Sequence, residues 1–446
     1  SQHDQIQPME RVTIMADNKT DIYKPIGVTG LNRQGGTIEE EYERALTGIN
    51  RHKVYVEMQN DAIIGAVLYA MEMLIRQVTW PVRPAHDGAT AVAAADFLRE
   101  CLADMSTGWM DTLSEVLTFL PQGWAYLETT YKLRKGPEQK DGRYRSKHRD
   151  GKIGWRSWSI RAQETLEEWA FDDNGGIKGM WQMAPPDYAR VFIPIEKALL
   201  FRTTTRKGNP EGRSILRSAY RAWYFGKNIE NIEGIGIERD LAGLPVAYLP
   251  AAVLAAQDGE SRSVVSATKK IVTNIRRDEQ EGVVFPLYFD ENGNQVSKLE
   301  LLSTGGSRQF DTDKIVRRYD QRKAMTVLAD FILVGHDSHG SFALSSNKTD
   351  LFAVALGSFL DMIAGITDDG RPVGVVNEYA IPRLMQLNNI GPDDYPILTH
   401  DDIESIDLAQ LGDFISKLAG AGAPLFPNKE LENWLLRQGG MPTVEE

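Results

Sequence analysis

A single cysteine, Cys101, stands among the 446 residues, so no disulfide can form within the chain, and that usage fits a reducing compartment. Long apolar runs are missing too. The most apolar stretch, Ala62 to Trp80, is broken by Glu72 and Arg76 and reads as a buried helix and strand, too polar for a bilayer span of about 20 apolar residues. No secretory signal, internal repeat or low-complexity tract is recognisable, and no membrane association is expected. Positive charge is in deficit, with 50 Lys and Arg against 62 Asp and Glu, a formal net charge of −12. This argues against tight nonspecific nucleic-acid binding by the chain as a whole, because that affinity comes from neutralising phosphates. A content of 42% hydrophobic and 25% charged residues is otherwise that of a globular protein, too long for one simple core and expected to split into two or more packed units.

Catalytic patterns are equally scarce, and those that come near fail on spacing. Gly208 to Ser214 (GNPEGRS) has three residues between its glycines and an Arg before the Ser. A phosphate-binding loop needs four and a Lys. Asp290 to Asn294 begins like a calcium loop, but Gly293 is displaced and Leu301 stands where the bidentate Glu belongs. His336-Asp337-Ser338-His339 holds every residue type of a hydrolase triad, yet four consecutive residues do not converge from a rigid frame. His336 and His339 have no evident third ligand for a metal. No catalytic residue, metal or cofactor is expected. The nine tryptophans read as core or interface anchors.

What the sequence does contain is an unusual order of parts between Phe201 and Leu356. Apolar residues at Ile215, Leu216, Ala219, Tyr220, Trp223, Tyr224, Ile229, Ile232 and Ile237 recur at helical spacing, predicting a helix to about Leu241, roughly 40 Å long. Gly243-Leu244-Pro245 ends it. A small α+β stretch follows: a strand at Val246 to Leu249, a helix at Glu260 to Glu279 carrying Lys269, Lys270, Arg276 and Arg277, and strands at Val283 to Phe289 and Val296 to Leu302 flanking an Asn-Gly turn. A second long helix is predicted over Asp311 to Val334, locally basic through Lys314, Arg317, Arg318, Arg322 and Lys323. An ion-paired solvated face and a phosphate- or subunit-facing strip both account for it. A Gly/Ser/His loop and a third helix complete the series. Two antiparallel struts carrying a small module suit this order.

Elsewhere, Thr37 to Asn50, Ala89 to Asp104 and Asp111 to Leu120 are predicted helices, the first with Glu39, Glu40 and Glu41 at its dipole-favoured start. Trp124 to Leu133, Trp155 to Ile160, Leu166 to Phe171 and Ile177 to Gln182 are predicted strands. Lys132 to Lys152 reads as an exposed, mobile, basic hairpin tip.

The run Leu199-Leu200-Phe201-Arg202, Gly208 to Leu216, Ala219 to Phe225, Glu238-Arg239 and Gly243-Leu244-Pro245 resembles the portal proteins of tailed bacteriophages, as do Asp61 to Met73 before Val78 to Arg83 and, near the end, Phe426 to Leu435. The resemblance implies an α+β portal fold and the following parts: an N-terminal wing (1–212), a first stem helix (213–242), a clip (243–307), a second stem helix (308–334), a tunnel loop (335–346), further wing (347–402) and a short helical crown (403–446). It also implies a ring of twelve copies at a capsid vertex, assembled in the host bacterial cytoplasm, through which double-stranded DNA is packaged and ejected. The implied partners are the terminase large subunit, an adaptor or head-completion protein, the major capsid protein and the scaffold. His336, Asp337, Ser338, His339, Ser341, Ser345 and Ser346 would line the channel, with Lys314, Arg317, Arg318, Arg322 and Lys323 as a stem strip and Lys269, Lys270, Arg276 and Arg277 as docking charges on the clip. A tail or baseplate subunit would share long helices but not a twelvefold ring, and a DNA-processing enzyme would need an acid or metal cluster that is absent from the sequence.

Overall fold

A computed structural model describes residues 27–242, 244–274, 284–302, 311–326, 342–367, 369–401 and 403; the side chains of 237–242, 244, 274, 301–302 and 342–351 lie outside that description. The chain divides into two compact units. One comprises the residues up to Ser218 together with those from Ala324 onward, and the other is Ala219–Lys323. The class is α+β, and each described strand pair is antiparallel.

In the first unit, strands β1 (Arg33–Gln34) and β2 (Thr37–Ile38) precede helices α1 (Asn50–Gln59) and α2 (Ala62–Gln77), strand β3 (Val82–Arg83), and helices α3 (Ala89–Ala103), α4 (Trp109–Leu117) and α5 (Phe119–Gln122). Strands β4 (Trp124–Leu133), β5 (Ile153–Arg161), β6 (Leu166–Phe171), β7 (Ile177–Met183), β8 (Arg190–Pro194) and β9 (Ala198–Arg202) follow. They form two three-stranded sheets, ordered β5-β4-β9 and β6-β7-β8. Period-two alternation along β4 sends Ala125 and Leu127 into a core shared with α2, α3 and α4, and Trp124 and Tyr126 into a second core shared with Trp169, Met180 and Ile193 of the other sheet. The central sheet is therefore buried on both faces. Tryptophans of the sheet and of the elements around it pack edge to face: Trp80 on Trp109 (5.6 Å), Trp109 on Trp158 (5.9 Å), Trp158 on Trp155 (4.9 Å) and Trp124 on Trp169 (5.0 Å). Burial of Trp155 removes it from any base-stacking role.

Two expectations in this unit are overturned. Thr37 to Asn50 is no helix: Thr37–Ile38 pairs with Arg33–Gln34, Ile38 plugs the second core, and a single 3₁₀ turn at Arg44–Leu46 follows. The acids there serve distant partners, Glu40 pairing with Lys207 (3.0 Å) and Glu41 with Arg217 (2.7 Å). The basic segment Lys132 to Lys152 is indeed the tip joining β4 and β5, but its base is pinned rather than mobile. Lys132, its side chain 3% exposed, pairs with Asp104 (3.1 Å), and Arg134 reaches Glu100 (2.5 Å) and Asp150 (3.0 Å).

The second unit starts with helix α6 (Tyr220–Ala242), about 35 Å long, preceded at Ile215–Ser218 by a 3₁₀ turn where a continuous helix was expected. Strand β10 (Leu244–Tyr248), helices α7 (Ala251–Ala255) and α8 (Gly259–Asn274), and strand β11 (Lys298–Leu302) form the small module, and helix α9 (Thr312–Met325) leads back. Gly226 packs on Tyr319, and seven residues further along α6 Glu233 takes the hydroxyl of Thr312, seven residues earlier on α9. The two helices thus run antiparallel, with Phe225 and Tyr319 stacked between them (6.5 Å). The partner of β11 is β10, some fifty residues upstream, and not a strand at Val283 to Phe289. Around the Asn-Gly turn only an isolated bridge, Phe289 to Gln295, forms, and Asp290 Oδ1 closes the turn by accepting the amides of Asn292 (2.9 Å) and Asn294 (2.7 Å). The oxygen that a calcium ion would use is thereby engaged with backbone.

Gly234 and Gly236 have open space where a Cβ would stand. Replacing either by Ala is expected to stabilise α6 by up to about 1 kcal/mol, read as a raised thermal midpoint of the isolated protein. A lowered midpoint would show that these positions need the space.

The chain then returns to the first unit, with α10 (Phe342–Ile363), β12 (Gly365–Ile366), β13 (Pro372–Val373), α11 (Ile381–Leu387) and β14 (Ile397–Leu398), the last pairing with β3. Phe352, Leu356, Leu360, Ile381, Leu384 and Met385 enter its main core. No helix among the described residues is long and apolar enough to cross a membrane.

Candidate functional site

The basic strip expected on the second long helix is largely compensated. Lys314 pairs with Asp311 (3.0 Å), which immediately precedes α9, Arg317 with Asp313 (3.0 Å) and Lys323 with Asp320 (2.9 Å), each acid three or four positions before its partner. Lys323 is buried, with a side chain 3% exposed, and does not belong to a surface strip. Arg318 and Arg322 instead lean over the ring of Tyr319, at 5.3 and 5.8 Å from its centroid. The Lys314 ammonium also holds the exposed Asp311 carboxyl below its ordinary range, so the pair stays ionised at neutral pH. Such exposed pairs contribute little stability, and they leave Arg318 and Arg322 as the cations of this face without an acid beside them among the contacts described.

Lys269 and Lys270 are exposed on α8, whereas Arg276 and Arg277 lie outside the described residues. So do His336, Asp337, Ser338, His339 and Ser341. Ser345 and Ser346, expected in a loop, belong to the first turns of α10. The apolar surface of the second unit went unnoticed in the sequence. Ile232 (65% exposed), Ile235, Leu254, Leu287, Phe289 and Val284 (91%) present large apolar side chains to solvent. Helical spacing had marked Ile232 as a packing position, and in the single chain nothing covers it.

Where the first unit leads into α6, the GNPEGRS segment explains its glycines without a phosphate. Gly212 (φ +55°) and Gly123 (φ +92°) lie back to back: a Cβ on Gly212 would stand 2.2 Å from the Gly123 oxygen, and one on Gly123 2.7 Å from the Glu211 oxygen. Ser214 Oγ donates to the Pro121 oxygen (2.6 Å) and accepts the Leu216 amide (3.0 Å), starting the 3₁₀ turn. Glu211 is buried, pairs with Arg51 and accepts Trp169 Nε1 (3.1 Å). Beside it His52 Nδ1 donates to Gln122 Oε1 (2.8 Å), and Arg51 Nε approaches His52 Nε2 (3.4 Å). Burial first, and the Arg51 charge second, hold this imidazole down at about 4. Cys101 is buried, and burial pushes its thiol up to about 12, so it is no nucleophile. Among the described residues no group of three His, Cys, Asp or Glu is placed to hold a metal.

The family model described as the portal protein of Mu bacteriophage matches residues 52–437. The chain belongs to that portal family. Solved structures similar to this portal protein include a chain of the virion of a native gene transfer agent particle (12% identity, TM-score 0.46, covering 87% of this chain and 94% of that one). Another is a chain of the neck of the native particle, computed with C12 symmetry (11%, 0.46, 87% and 94%). A third is an HK97 family phage portal protein from Corynebacterium diphtheriae (9%, 0.41, 80% and 96%). As a portal, the chain is a structural component of a phage particle, and the resemblance seen in its sequence order is borne out.

Proposed function

We propose that copies of this chain close into a ring, twelve in number, at one capsid vertex of a virion assembled in the host cytoplasm, and that double-stranded DNA is packaged and ejected through its axial hole. The observation that carries this reading is the match of the portal family across residues 52–437. Support comes from the second unit, whose antiparallel α6 and α9 suit the two stem helices and whose small module suits a clip. Uncovered Ile232 and Ile235 on α6 suit contact with neighbouring copies, where burying apolar area drives association. Residues 1–212 and 347–402, both within the first unit, make up the wing. The terminase large subunit docks on the clip and is later replaced by an adaptor protein; Lys269 and Lys270 are candidate docking charges. The wing meets capsid protein and scaffold.

Electron microscopy of the purified protein tests this. The expected result is rings of about twelve subunits with an axial hole wide enough for duplex DNA; rings without a through-channel, or a stable monomer at all concentrations, would overturn it.

A further inference from the structure

We propose that the hairpin tip between β4 and β5, residues 134–152, binds the phosphate backbone of double-stranded DNA. Residues 132–152 hold nine Lys and Arg against three Asp and Glu, in a chain whose net charge is −12. Ordering so many like charges costs self-repulsion, yet the tip is held firmly. Asp104 accepts Lys132 (3.1 Å), Ser146 Oγ (2.6 Å) and the Lys147 amide (2.8 Å). Gly136 donates to the His148 oxygen (2.8 Å), and Arg134 to that of Lys152 (2.9 Å). Burial alone would raise the Asp104 carboxyl; its hydrogen bonds outweigh burial and keep it below the ordinary range, so the anchor stays charged.

The exposed cations are not neutralised by this scaffold. Among the described residues Lys135 and Lys140 form no ion pair, Arg145 Nε rests on the Gln139 oxygen (3.3 Å), and Lys147 Nζ on the Ala103 oxygen (3.1 Å). Carbonyl oxygens orient these groups and leave the positive charge in place. Of the exposed Lys and Arg side chains described at the tip, Arg143 and Arg149 meet acids, Asp141 and Glu138, while the buried Arg134 takes Asp150. The choice of nucleic acid over an acidic protein follows from what the tip lacks. Leu133 (44% exposed), at its edge, is the one large hydrophobic side chain exposed there among the described residues. Protein interfaces are anchored by buried aromatic and aliphatic groups, whereas a phosphate backbone asks for positioned cations. That the polyanion is duplex DNA rests on the portal reading.

The test is a fluorescence-anisotropy titration of the full-length protein with a labelled duplex of about 30 base pairs between 50 and 200 mM salt. The K135Q/K140Q/R145Q/K147Q variant is expected to bind at least tenfold more weakly, with a salt slope shallower by about 3–4. The K135Q/K140Q variant, whose two side chains hold nothing in the fold, is expected to lose about 2 from the slope. Affinity and slope unchanged in both variants would overturn the proposal, as would displacement of DNA by poly-L-glutamate at equal charge, which would assign the tip to an acidic protein. Micrographs of the same samples separate the two readings. Channel-bearing rings without hairpin-dependent binding refute only this inference; hairpin-dependent binding without rings refutes only the ring.

Discussion

Replacing Glu211 by alanine is expected to lower the unfolding free energy by about 3–5 kcal/mol, the range for removing one member of a buried ion pair. Arg51 would keep its charge in a site where its side chain is only 15% exposed, with its carboxylate gone, and Trp169 Nε1 would lose its acceptor. The location adds to the effect. Glu211 sits between Gly123 and Gly212, in a turn with no slack for rearrangement, because a Cβ on either glycine already meets backbone oxygen. A double variant, Arg51→Met with Glu211→Leu, is expected to recover most of the loss, since apolar side chains of similar volume satisfy a buried site without desolvating charge. Denaturant titration of wild type, Glu211→Ala, the single variants Arg51→Met and Glu211→Leu, and their double variant measures the loss and closes the cycle. Additive losses in the double variant would show that the two residues act separately, and a Glu211→Ala loss under about 1 kcal/mol would show the pair to be solvated.

Residues whose partners are local were legible in the sequence. Alternation placed β4 at Trp124–Leu133 and β6 at Leu166–Phe171 to the residue, because a period of two needs no knowledge of what covers each face. Helix α3 was found from its alanines, and α6 from its apolar spacing, apart from the 3₁₀ turn that Ser214 starts. Errors fell where distant partners decide. Glu39, Glu40 and Glu41 looked like a helix start, but Glu40 and Glu41 answer Lys207 and Arg217, more than 160 residues away. Helix α1 has too little apolar periodicity to be seen and is held by buried His52, Tyr55 and Met58. The tip after Lys132 reads as solvated charge until Asp104, on the end of α3, is known to lie beneath it. Of the two readings that the sequence left open for the cations of α9, Lys314, Arg317 and Lys323 follow the ion-paired one, with Asp311, Asp313 and Asp320 three or four positions before their partners.

Acidification from pH 6.5 to 4 is expected to cost the portal protein about 3 kcal/mol through His52 alone. The folded imidazole is held at about 4, below its ordinary 6.5. Above 6.5 both folded and unfolded states are neutral and this group adds no pH dependence. As pH falls below 6.5 the unfolded chain gains a proton that the folded chain refuses, so stability drops until the folded group also titrates near 4. The geometry gives the reason for the refusal: Nδ1 is spent on Gln122, and Nε2, the atom that would be protonated, faces the Arg51 guanidinium. Carboxylates held low by partners, such as Glu41 beside Arg217, contribute in the same direction but only as pH falls past the ordinary carboxylate range. The interval from 6.5 to 5 therefore isolates the histidine, with about 2 kcal/mol expected there. Comparing wild type with His52→Gln by denaturant unfolding at half-unit steps cancels every other titrating group, and the difference should rise steadily as pH falls. A flat difference would mean that His52 accepts its proton in the folded state, and with it a second cation beside Arg51 that only Glu211 could balance.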